Sequence, residues 1–197
     1  MENILRIAPY IAWMALMMLG LPYWVRVVVS GALLVALVAR SFRSAKVNSG
    51  SVELVGSLGL VGSLAWGVLA GVIVLGVWIL PETINPPVSN LQPQASNLEL
   101  VIQLLGSAFI ISAAEELFFR DWLYKWLLER WSKWAAVGIM LALFAVEHDK
   151  WACAIFAGAV YFLLYLKRGL GSAIIAHATT NLLLGLYVIF ANKWYYW

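Results

Sequence analysis

The sequence predicts an all-α protein: a single polytopic membrane bundle of about seven transmembrane helices. Three observations carry that expectation. The 197 residues are 63% hydrophobic and only 12% charged, whereas apolar residues make up about half of an ordinary soluble chain. Mean hydropathy is +0.87. Eleven Trp stand in the chain, which suits rings that anchor at bilayer–water interfaces.

The elements follow from apolar runs of about 17 to 25 residues, the length that spans a bilayer as a helix. Residues 4–21 and 23–40 supply two, parted by Pro22. The first has no small-residue cleavage site after it, so it is expected to be a retained helix and not a signal peptide. Residues 41–53 are polar and basic and read as a loop. Residues 54–80 form a third helix, whose Gly59, Ser63, Gly67 and Gly71 recur every four positions. Such a stripe lets a neighbouring helix come close. Residues 81–98 contain four of the six prolines and no basic residue, so they read as an extended loop. Residues 99–130 form a fourth helix, and 134–148, 151–166 and 170–191 supply three more.

Basic residues orient the bundle by the positive-inside rule. Arg40, Arg43 and Lys46, then Lys125, Arg130 and Lys133, then Lys167 and Arg168 mark the cytoplasmic ends. Arg26 and Lys150 lie on the wrong side of this scheme. The C-terminal Lys193-Trp194-Tyr195-Tyr196-Trp197 has the composition of an interfacial anchor. The net charge of +3 is spread over helix ends and is no nucleic-acid footprint. The lone Cys153 excludes an intrachain disulfide and a cysteine-rich metal site.

Ionisable groups inside apolar runs cost roughly 2.5–3.5 kcal/mol each on insertion scales, so they face the interior and mark function. The inventory is short: Glu115, Glu116, Arg120, Glu147, His148, His177 and Asn181. Both histidines of the chain are on it. Glu116 and Arg120 are four apart and share a helix face, which predicts an ion pair. Glu115 is rotated from Glu116 by about 100° and points elsewhere, free to act as a general base. His177 and Asn181 are again four apart. Each motif alone is matched by a plain packing role: a buried salt bridge, an interfacial histidine, an interhelical hydrogen bond. Their coincidence favours a shared site.

In this order Glu115-Glu116-x-x-x-Arg120, Phe144-x-x-x-His148 and His177-x-x-x-Asn181 resemble the three-motif pattern of the CaaX-protease and bacteriocin-processing (CPBP, or Abi) family. Its members are intramembrane glutamic endopeptidases. The resemblance covers roughly residues 95–191, a catalytic core preceded by the helices of 1–80. The compact chain and the His148-Asp149-Lys150-Trp151 context are similar to CaaX-protease-related proteins that accompany bacterial exosortase systems. The resemblance implies that Glu115 and His148 activate a water, His177 and Asn181 stabilise the oxyanion, and Glu116 and Arg120 orient the site. It further implies a membrane-associated protein or peptide substrate and a bacterial inner membrane. The first half is shorter than in the eukaryotic prenyl-protein-processing relatives, which leaves prenyl recognition open.

No cofactor and no metal is expected. HExxH is absent, and Arg120 beside Glu116 would repel a cation. The competing class is a non-proteolytic membrane module, an immunity or assembly-scaffold protein whose buried polar cluster serves packing. A transporter would want two related halves, and none is visible. One difficulty stands in the spacing: by simple depth Glu115 lies mid-membrane, His148 at a helix end and His177 near a helix start.

Overall fold

The computed structural model describes residues 2–48, 56–84 and 95–196, with side-chain surroundings for 5–40, 63–84 and 95–196. No strand occurs among them. Seven helical rods run in chain order: α1 (Glu2–Met18), α2 (Tyr23–Asn48), α3 (Gly56–Ile84), α4 (Asn97–Leu128), α5 (Lys133–Val146), α6 (Trp151–Arg168) and α7 (Leu170–Ala191). Among the described residues five of these, α2, α3, α4, α6 and α7, are long and apolar enough to cross a membrane. The apolar parts of α1 and α5 are shorter. Large apolar side chains such as Leu19, Val146 and Phe190 point outward on the surface, as lipid-facing groups do.

Two boundaries differ from the sequence reading. The polar residues 41–48 continue α2 instead of forming a loop. Arg, Ala and Lys are good helix formers, and leaving the apolar layer does not itself end a helix. The rest of that expected loop, 49–53, lies outside the described residues, as does most of the Pro-rich one. The start of the Pro-rich stretch is helical, because α3 runs through Pro81 to Ile84. A proline lacks the N–H that would bond the carbonyl four residues back. Here the Cys153 Sγ–H donates to that carbonyl, Val77 O, at 3.7 Å. The α3 terminus is further tied by the Tyr196 hydroxyl, which donates to Ile79 O at 2.9 Å. The C-terminal aromatic run thus folds back as a 3₁₀ turn, Trp194–Tyr196, with Trp194 buried.

The small-residue stripe brings α3 against α7. A Cβ on Gly67 would stand 2.7 Å from Ile175 Cγ2, and one on Gly71 would stand 2.6 Å from the Ala176 carbonyl oxygen. Only glycine fits this approach. Thr180 seals it by donating to Gly71 O at 3.1 Å or to Ala176 O at 3.0 Å, one proton shared between two acceptors. Gly59 lies in the part of α3 whose packing is outside the described residues. Opposite, α1 lies on α4, with Tyr10 stacked on Phe118 at 4.2 Å and Arg6 paired with Asp121.

The depth difficulty resolves through α5. Its 14 residues rise only about 21 Å at 1.5 Å per residue, short of the roughly 30 Å apolar slab. The turn that follows, with Glu147 and His148, is therefore reached partway through the bundle. That turn is tied to α1, because the Tyr10 hydroxyl donates to Glu147, while Val146, Glu147 and Asp149 stay exposed and His148 is part-buried.

Candidate active site

The site is built on an irregular α4. Two π-helical segments, Gly106–Ile111 and Leu117–Leu123, flank a single regular turn, Ser112–Glu116, that carries both carboxylates. The Ser112 N–H bonds Ser107 O and the Tyr124 N–H bonds Phe119 O, each five residues back. Such insertions are rare and occur frequently at functional sites. The sequence reading anticipated one uninterrupted helix here, because nothing in the local pattern, Gly106 included, marks a π turn.

Glu116 and Arg120 form the floor. Both are fully buried, and Arg120 Nη1 stands 3.1 Å from Glu116 Oε1. Arg120 Nη2 donates to the Gly158 carbonyl of α6 at 3.2 Å, and its guanidinium carbon lies 4.4 Å from the Phe144 ring centre. Gly158 leaves room for this: a Cβ there would come within 3.0 Å of Phe144 and Leu141. The expected ion pair is present, and three helices fix it.

His177 on α7 bridges the two carboxylates. Its Nδ1 lies 2.9 Å from Glu116 Oε1, so Nδ1 carries the proton, because a carboxylate accepts. Its Nε2 stands 3.8 Å from Glu115 Oε2. The ring is stacked on Tyr161 at 4.8 Å, and the Tyr161 hydroxyl donates to Thr180 at 2.8 Å. Tyr161 and Tyr10 belong to the site's support and were missed in the sequence. A tyrosine in an apolar run looks like any other aromatic core residue, although Glu147, the partner of Tyr10, did stand out.

Glu115 has no hydrogen bond. Its Oε2 is buried without a hydrogen-bond partner, as are Glu116 Oε2 and Arg120 Nε, and Arg120 Nη1 has only its ion-pair contact with Glu116. Buried polar atoms of this kind are what ordered water satisfies. His148 lies between Phe144, at 4.9 Å, and Trp78, at 5.6 Å between ring centres. Its Nδ1 donates to Phe144 O at 2.9 Å, which leaves Nε2 as a free acceptor when the ring is neutral. Asn181 donates from its amide to Ser107 O at 3.2 Å and to Ser112 Oγ at 3.1 Å. It ties α7 to the first π segment.

His148, His177, Asn181 and Tyr161 line one cavity of about 700 Å³. Its remaining walls include Tyr23, Arg26 and Gln103, from the early part of α2 and of α4. It thus occupies the end of the bundle away from Lys125, Arg130, Lys167 and Arg168. The volume is that of a small-molecule or peptide pocket. Of the seven residues singled out in the sequence, Glu115, Glu116, Arg120 and His177 are buried and form one contiguous cluster, His148 and Asn181 are part-buried on the cavity wall, and Glu147 stays exposed. Among the described residues no three His, Cys, Asp or Glu side chains converge as a metal-ligand set.

Residues 97–183 match the family model described as type II CAAX prenyl endopeptidase Rce1-like. The matched segment contains all three motifs, from Glu115 to Asn181. No curated protein and no solved structure matches the chain. Residues 97–183, less than half of the 197, are thus similar to the CaaX-protease and bacteriocin-processing family, and that likeness supports a CAAX-type intramembrane protease kind of function.

Proposed function

We propose that the protein is an endopeptidase of the bacterial inner membrane that hydrolyses a peptide bond of a membrane-associated protein or peptide. One observation carries this reading: a buried, unpartnered carboxylate oxygen of Glu115 stands 3.8 Å from an imidazole nitrogen of His177, and that imidazole lines the cavity with His148 and Asn181. A carboxylate is kept dry and uncommitted at a cost, which suits a general base.

In this reading a water is held at Glu115 Oε2 and His148 Nε2. Glu115 takes its proton while the water oxygen attacks the scissile carbonyl carbon. Charge then develops on the carbonyl oxygen. His177, with Nδ1–H held by Glu116, donates to it from Nε2 when that nitrogen also carries a proton. Asn181 turns one amide hydrogen from Ser107 or Ser112 to the same oxygen. The proton on Glu115 passes to the leaving nitrogen as the C–N bond breaks. No covalent intermediate forms, and Glu116 with Arg120 fixes the donor geometry without touching substrate.

The test is a comparison of new peptide N-termini in membranes holding the wild type or Glu115→Gln. Fragments that appear only with the wild type would identify the substrate. An identical set of termini from both, at equal protein levels, would sink the peptidase reading in favour of a structural module.

A further inference from the structure

Arg26 stands apart from both the catalytic cluster and the topology signals. It sits one turn into α2, at the end of the bundle where the basic loops are not. Its neighbours there are aromatic: the guanidinium carbon lies 4.8 Å from the Trp13 ring centre and 5.3 Å from that of Tyr23. Among the described residues no carboxylate pairs with it, and its Nε is buried without a hydrogen-bond partner. Lys150, the other basic residue on the wrong side, is accounted for by Glu82 at 2.5 Å. Among the described side chains lining the cavity, Arg26 is the one Lys or Arg. A guanidinium serving only as an interfacial anchor would place its donors in the headgroup layer. Here one donor is turned into protein, and the group forms part of the wall that holds His148 and His177.

We infer that Arg26 is a specificity residue that pairs with a carboxylate of the substrate, on the wall of the cavity that His177, the neighbour of Glu115, also lines. The proposal rests on the peptidase reading. A planar guanidinium between aromatic rings, with free donors at a low-dielectric rim, is the group that recognises carboxylate by paired hydrogen bonds. The reach is right for one ligand. Arg26 shares the cavity wall with Ser107 of α4, and the eight positions from Ser107 to Glu115 rise about 12 Å. Three or four residues of extended chain cover that span at roughly 3.3–3.6 Å each. The carboxylate can come from a free chain terminus or from an Asp or Glu side chain near it. The two sources share one chemistry and are separable by synthesis.

The probes are three dansylated peptides in neutral detergent: Ala-Leu-Val-Leu-Ala as the free acid, the same as the C-terminal amide, and Ala-Leu-Val-Asp-Ala as the amide. Binding is read on Glu115→Gln protein, so turnover does not intrude. The free acid or the Asp-bearing amide should bind about 10-fold tighter than the plain amide. That preference should fall to within twofold in Glu115→Gln/Arg26→Gln and survive in part in Glu115→Gln/Arg26→Lys. Whichever acid wins names the source of the carboxylate. Equal binding of all three peptides, or a preference that persists in the Arg26→Gln background, overturns the proposal. So does dodecyl phosphate displacing the free acid at lower concentration than dodecanoate does, because it makes Arg26 a headgroup anchor. An intact carboxylate preference with no cleavage dependent on Glu115 would instead refute the peptidase and leave the anion site standing.

Discussion

Glu115 and Glu116 are adjacent in the chain and opposite in circumstance. Glu116 has no exposed surface, and its Oε1 lies near both Arg120, at 3.1 Å, and His177, at 2.9 Å. Glu115 reaches only the far nitrogen of the same imidazole, at 3.8 Å. The 100° step of a helix separates them into a carboxylate committed to the fold and one held in reserve. Their shared partner, His177, is what makes the two act on one site. The contrast teaches that a pair of buried acids need not be a dyad sharing one role. One can be fixed by a cation so that the other stays free.

Substitutions should resolve the two carboxylates. The largest effect is expected from Glu115→Gln, which keeps the shape and removes the base. Cleavage should fall about 10²- to 10⁴-fold, while the melting temperature in detergent stays within experimental scatter. Arg120→Ala should do the reverse in kind. It strands Glu116 in the bundle and should cost about 3–5 kcal/mol of stability, seen as a clear drop in melting temperature. A melt in which Glu115→Gln unfolds the protein and Arg120→Ala is harmless would invert the assignment. Asn181→Ala should lower turnover about 10²- to 10³-fold with little change in substrate binding if it donates to the oxyanion. A rise in KM at constant kcat would instead confine Asn181 to its tie with Ser107 and Ser112. The smallest effect is expected from chelation. Arg120 already stands at Glu116 Oε1, where it opposes a cation, so exhaustive EDTA treatment should leave the rate unchanged. Restoration of a lost rate by zinc would require a new ligand set.

The helices and the cluster were legible in the sequence for the same reason. In so apolar a chain, every interior charge stands out against its surroundings, so Glu115, Glu116, Arg120, His148, His177 and Asn181 could be picked by exclusion. The Gly67–Gly71 stripe was legible because spacing alone defines a smooth face. What escaped was the backbone and the support. The π segments of α4 depend on contacts such as Asn181 with Ser107 O, made across 74 positions of chain. Helix ends escaped at 41–48 and 81–84 because a polar or proline residue does not end a rod when something else satisfies it, as Cys153 does for Val77. Tyr161 and Tyr10 escaped because a hydroxyl's partner is set by tertiary packing, which the local pattern does not encode.

The shortness of α5 has a consequence for the lipid around it. Trp134, Leu143 and Val146 face outward on that helix, so hydrocarbon must meet a wall about 9 Å shorter than an ordinary apolar slab. Chains beside α5 must shorten or tilt, and the mismatch draws the headgroup layer down toward the Glu147–His148 turn. A local dimple in the bilayer is therefore expected on the flank where the second motif lies. Such a dimple would give water a second approach to mid-depth beside the cavity. Acyl-chain length thus becomes a control on the site: short-chain bilayers relieve the strain, and long-chain bilayers work against the hydration that a hydrolysis needs.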